Sequence, residues 1–105
     1  MRLAAVLTAA LLVAAAPAMA DDEQVLQIKQ AFEPAVLTVA AGASVSFVNA
    51  DDVNHNLQQT GPDGVRKDLG VSKPGETVSM SFAGAGLYLV NCQIHPRMKL
   101  KVTVK

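Results

Sequence analysis

The stretch Leu87 to Lys105, LYLVNCQIHPRMKLKVTVK, decides the fold. Its second half alternates strictly: Leu100, Val102 and Val104 fall on one side, and Lys99, Lys101, Thr103 and Lys105 on the other. A period of two in side-chain polarity marks a strand with one buried and one solvated face. Leu87 to Cys92 is a second β-rich run, and the short segment joining the two holds a cysteine, a histidine and a methionine close together.

The same period recurs upstream. Gln24 to Gln30 sets Leu26 and Ile28 on one face, Val36 to Val39 is short and apolar, and Val45 and Phe47 alternate with small residues between Ala43 and Val48. Val78, Met80 and Phe82 alternate with Ser79 and Ser81. Turn chemistry separates these runs at Ala41-Gly42, Gly61-Pro62-Asp63-Gly64, Pro74-Gly75 and Gly84-Ala85-Gly86. Short strands at this spacing predict an all-β sandwich or barrel. Residues 50–73 are less regular and read as loops or a short helical turn.

The first twenty residues read differently. Arg2 supplies a charged start, Leu3 to Ala16 is an apolar run, and Ala18-Met19-Ala20 fits a small-x-small cleavage pattern before Asp21. The expectation is a signal peptide over 1–20, cleaved after Ala20, then one domain over 21–105. An uncleaved anchor is the rival reading, since Leu3 to Ala20 carries no charge and reaches the lower edge of a spanning length. Pro17 and the small residues after it favour cleavage, and with it a periplasmic protein that does not insert in the membrane. Nine Lys and Arg balance nine Asp and Glu; without Arg2 the balance turns slightly negative. No cluster of positive charge points to nucleic acid, and a monomer is expected.

An exported protein normally pairs its cysteines, so the single Cys92 needs a metal, a partner or burial to protect it. Cys92, His95 and Met98 stand at Cys-x₂-His-x₂-Met spacing, and His55 follows the third strand. A sandwich brings such loops together at one end. One thiolate, two imidazoles and a thioether are the ligand set of a type 1, blue-copper centre. Thiolate and thioether suit Cu(I) while imidazole binds both oxidation states, so a fixed compromise geometry lets an electron come and go with little rearrangement.

With these residues in view, the chain resembles a cupredoxin, and its ligand loop is closest to that of the amicyanins. The resemblance is carried by Asn49-x₅-His55-Asn56 and by Gly86-x-Tyr88-x₃-Cys92-x₂-His95-Pro96-x-Met98. It implies a Greek-key β-sandwich of about seven to eight strands, one copper ion, single-electron transport, and redox partners such as a c-type cytochrome or a periplasmic dehydrogenase. It also implies that Asn56 ties the two ligand loops together and supports the thiolate. Two departures stand out. Asn54 and Ile94 occupy positions where amicyanin-like sequences tend to have proline before each histidine, and Arg97 replaces an apolar residue. Ile94 thereby regains a backbone N–H, expected to reach the Cys92 sulfur.

Taken singly, the ligands have ordinary explanations: an inert thiol, a hydrogen-bonded histidine, a methionine filling the core. A Cys92/His95 nucleophile pair lacks a third residue to orient the base, and a second copper centre would need histidines the chain does not have. An electron carrier is therefore expected rather than an enzyme, with copper storage or delivery as the alternative. Asp51 and Asp52 read as turn formers or as part of a docking rim.

Overall fold

The computed structural model describes residues 22–105, so the signal-peptide expectation lies outside the described residues. These residues form nine strands and no helix: β1 Glu23–Ile28, β2 Ala31–Glu33, β3 Val36–Val39, β4 Ala43–Asn49, β5 His55–Thr60, β6 Arg66–Ser72, β7 Thr77–Phe82, β8 Gly86–Asn91 and β9 Lys99–Val104. They make two sheets, in the orders β2-β1-β4-β7 and β3-β9-β8-β5-β6. Successive strands repeatedly change sheet, as a Greek-key sandwich requires. Two ladders are parallel, β1 with β4 and β3 with β9.

The core lies between the sheets, where the period-two residues meet. Val45 and Phe47 of β4, Met80 and Phe82 of β7, Val90 of β8 and Leu100, Val102 and Val104 of β9 are all buried. Phe32 packs edge-on against Phe47, and Phe82 against Tyr88.

In β1 the residues turned fully inward are Val25 and Gln27, with Leu26 and Ile28 only half-buried. The parallel register with β4, Val25 beside Phe47 and Gln27 beside Asn49, fixes that choice. The Gln27 amide nitrogen donates to the Ser72 hydroxyl at 3.2 Å, which offsets part of the cost of burying it, while its Oε1 is buried without a partner among the described residues.

Residues 50–73 depart further from expectation, for they hold no helical turn and instead contain the antiparallel pair β5 and β6. All of β5 from His55 to Gln59 is buried, polar residues included. Gln59 donates to the Ser81 carbonyl at 2.9 Å and Asn56 to the Asp68 carboxylate at 2.9 Å. A strand covered on both faces loses the alternation that would reveal it. With this hairpin and the three-residue β2, the count reaches nine rather than seven to eight.

At the end of the sandwich away from the histidines, Tyr88 donates to the Gly84 carbonyl at 2.8 Å and accepts the Gly84 N–H at 3.2 Å. Gly86 adopts φ 141°, and a Cβ there would collide with the ring of Pro62. Gly86→Ala should therefore lower the unfolding free energy by about 1–3 kcal/mol and leave the metal end unchanged. Urea denaturation of the metal-free protein checks this, and an unshifted midpoint would show that the Pro62 loop yields freely.

Candidate metal centre

The site grows out of strand ends. His55 opens β5, Cys92 follows β8, and the turn from Gln93 to Met98 returns the chain into β9. The β8 and β9 ladder holds through Asn91 opposite Lys99. Past it, the Cys92 N–H donates to the Met98 carbonyl at 3.3 Å and the Met98 N–H to the His95 carbonyl at 2.9 Å. The loop is thus closed at its base and across its middle.

Three donor atoms converge. Nδ1 of His55 lies 3.1 Å from Nδ1 of His95, and each lies 3.9 Å from Sγ of Cys92. A point equidistant from the three lies about 2.1 Å from each, close to the imidazole and thiolate bond lengths of a bound divalent metal such as zinc, about 2.0–2.1 and about 2.3 Å. The donor set and its spacing therefore fit a metal ion the size of copper. Cys92 and His55 are fully buried whereas His95 is partly exposed, so His95 alone of the three leads to the surface. Met98 is fully buried on the same loop.

Surrounding residues fix these donors. The Asn56 N–H donates to Sγ of Cys92 at 3.2 Å, and its side-chain carbonyl accepts the Gln93 N–H at 3.3 Å, so Asn56 bridges the two loops. Asn49 is buried and donates to the carbonyls of Val53 at 2.9 Å and Ser72 at 2.8 Å, while its own side-chain oxygen accepts the Asp51 N–H at 2.9 Å. Those bonds set the path of the chain into His55. The Ile94 side chain is 53% exposed, and a backbone N–H reaches the Cys92 sulfur from Asn56 on the opposite loop. Pro96 lies exposed in the turn between His95 and Met98.

Asp51 carries more than a turn former's role. Its Oδ2 accepts the ring Nε2–H of His55 at 2.6 Å, and the carboxylate also accepts the N–H groups of Lys29 at 2.6 Å and Gln30 at 3.0 Å. Because an ionised carboxylate only accepts, it holds the His55 proton on Nε2 and leaves the Nδ1 lone pair facing the other donors. Burial pushes the Asp51 carboxyl upward, yet the N–H of Gln30, the His55 ring, the N–H of Lys29 and the charge His55 can carry together hold it below its usual 3.8. In sequence the only trace is an Asp four positions before the histidine, which a turn explains equally well.

Comparison with known proteins agrees with this arrangement. Residues 19–105 match the family described as copper binding proteins, plastocyanin/azurin family. The methylamine utilization protein MauL of Methylorubrum extorquens is 36% identical over 93 residues, spanning 87% of this chain and 82% of that protein. Amicyanin-alpha of the same organism is 32% identical over 103 residues, spanning 96% and 87%. Among solved structures, the Cu(I) form of an amicyanin variant superimposes with a TM-score of 0.75 at 27% identity, covering 87% of this chain and 89% of that one.

Proposed function

The chain belongs to the plastocyanin/azurin family of copper-binding proteins, and from that premise we propose that it holds one copper ion through His55, Cys92, His95 and Met98 and carries single electrons between redox proteins. The observation that supports this most is the convergence of one buried thiol and two imidazole Nδ1 atoms, 3.1 to 3.9 Å apart, on loops pinned by hydrogen bonds. Bound there, copper supplies reversible one-electron chemistry between Cu(II) and Cu(I). Cys92 provides the thiolate, with the Asn56 N–H moderating its charge. His55 stays oriented by Asp51, so that side of the site resists rearrangement. His95 reaches the surface and is the path by which the electron enters and leaves.

Residues 1–20 are proposed as an export signal cleaved after Ala20, and 21–105 as one copper-binding domain working in the periplasm. A c-type cytochrome or a periplasmic dehydrogenase is the class of partner envisaged. Protein recovered from a periplasmic extract should begin at Asp21 by N-terminal sequencing.

Adding Cu(II) to the metal-free protein tests the central reading. An intense thiolate-to-copper band, retained against a chelator and bleached and restored through one-electron cycles, is expected. A weak spectrum with rapid loss of the ion would instead favour copper delivery. Met98→Leu should keep the colour and raise the potential, because losing a weak donor disfavours Cu(II) more than Cu(I). Each tenfold change in preference moves a one-electron couple by about 59 mV, and a rise of at least that size is expected. An unmoved potential would remove Met98 from the ligand set.

A further inference from the structure

Beside His95 lies a groove of about 350 Å³ lined by Lys29, Gln30, Ile94, His95, Pro96 and Arg97. It is the surface that His95 opens onto, and its two charged walls have the same sign. Lys29 and Arg97 are both exposed, and among the described residues neither takes part in an ion pair. The Asp51 carboxylate, behind the Lys29–Gln30 turn, faces His55 and the backbone N–H groups of Lys29 and Gln30. Ile94 adds an exposed apolar wall and Pro96 a second one.

Both cations are mounted on elements that also hold the donors. Lys29 and Gln30 form the β1–β2 turn with φ of 53° and 54°, a left-handed pair without glycine, and the Asp51 carboxylate grips both N–H groups. Arg97 stands inside the ligand loop, between His95 and Met98, across which the Met98 N–H closes on the His95 carbonyl. The Cα positions of the charges are therefore set before any partner arrives, which lowers the ordering cost of binding. The chain as a whole is formally neutral, so the attraction exerted here is local to this groove.

We infer that this groove is the seat for an acidic face of the redox partner: a partner carboxylate enters between Lys29 and Arg97 while apolar side chains settle on Ile94 and Pro96, bringing the partner's redox centre toward His95. This deepens the electron-carrier reading and rests on it. Charges on such a rim act chiefly on the rate of encounter and on its salt dependence. A second copy of this chain is a poor occupant, because it would present the same two cations.

The test pairs two readouts. In the first, Cu(I)-loaded protein is titrated with an acidic c-type cytochrome, with a basic one, both in the reduced state, and with inorganic phosphate, while backbone amide signals are followed by NMR. The acidic cytochrome should shift residues 29–30 and 94–97, and the other two should not. In the second, reduced copper-loaded protein is mixed with each cytochrome over a range of salt. Lys29→Gln combined with Arg97→Gln should slow electron transfer to the acidic cytochrome about tenfold at low salt and flatten its salt dependence, with the copper spectrum unchanged and the basic cytochrome's rate no lower. Equal rates for the variant and the parent would overturn the seat. So would shifts confined to other surfaces, or saturation of the same amides by phosphate alone, which would mark a small-anion site. A copper-loaded protein that binds the acidic cytochrome at 94–97 yet exchanges no electron with it or with ferricyanide would support the seat while overturning the carrier function.

Discussion

Replacing Cys92 with serine is expected to erase the intense visible band of the copper-loaded protein while the sandwich stays folded. The band requires thiolate-to-copper charge transfer, and a hydroxyl at this position has neither the low ionisation energy nor the softness of sulfur. The fold stands on other contacts. Cys92 is one residue of a core that also contains Phe47, Leu57, Phe82, Leu100 and Val102, and serine is close to it in size. The Asn56 N–H, now 3.2 Å from Sγ, would find an oxygen acceptor in place of the sulfur. Burying that hydroxyl should cost the metal-free protein about 1–2 kcal/mol, and its far-ultraviolet circular dichroism should remain that of a β protein. Retention of the colour would mean that Cys92 is not the donor.

Asp51→Ala should weaken copper binding by about 10- to 100-fold, the range typical for removing the group that orients a metal-bound histidine. His55 would keep its position at the head of β5 but lose the acceptor that fixes its proton on Nε2. The Lys29 and Gln30 N–H groups would lose their common acceptor in the same step. Hydrogen bonds to a charged group contribute about 1.5–3 kcal/mol each, and with water taking over part of that role a net loss of about 2 kcal/mol in the metal-free protein is expected. Competition against a chelator and urea denaturation measure the two effects. Unchanged affinity would reduce Asp51 to a turn residue.

The acid dependence of stability follows from the same carboxylate. The folded-state pKa of Asp51 lies below its usual value, and so does that of Asp68, which accepts the Gly70 N–H and the Asn56 side-chain amide. A carboxyl lowered on folding contributes stability that is complete above its unfolded pKa and lost as pH falls through the folded one. The metal-free protein should therefore weaken below about pH 4, the ordinary aspartate range. Asp51→Ala should fall less steeply there, with the two stability curves drawing together toward pH 2.

The parts that were legible in the sequence are those with one wet and one dry face. β4, β7 and β9 announce themselves because Val45, Phe47, Met80, Phe82, Leu100 and Val102 alternate with polar neighbours. β5 and β6 do not, since in His-Asn-Leu-Gln-Gln polar residues are buried on both sides of the core residue Leu57 and β6 is largely exposed. Gln27 misleads too, its inward position following from the parallel register with β4 and its amide meeting a partner 45 positions away. At the site, the spacing of Cys92, His95 and Met98 can be read because one tight loop carries all three. Asp51's contacts with a turn 21 and 22 positions upstream depend on how β1 lies beside β4 and leave no local pattern.

The parallel pairing of β3 with β9 has a consequence for the life of the chain before it works. Val36 lies opposite Lys101 and Val39 opposite Val104, so the edge strand near the beginning of the domain has no neighbour until the segment past the ligand loop has left the ribosome. Such distant pairing is slow to nucleate, because the intervening chain must be confined before any contact rewards it. During synthesis the growing polypeptide thus lacks the means to complete its larger sheet. Until β9 is in place the sheet stays open at the end where His55, at the head of β5, meets the loop that carries Cys92, His95 and Met98.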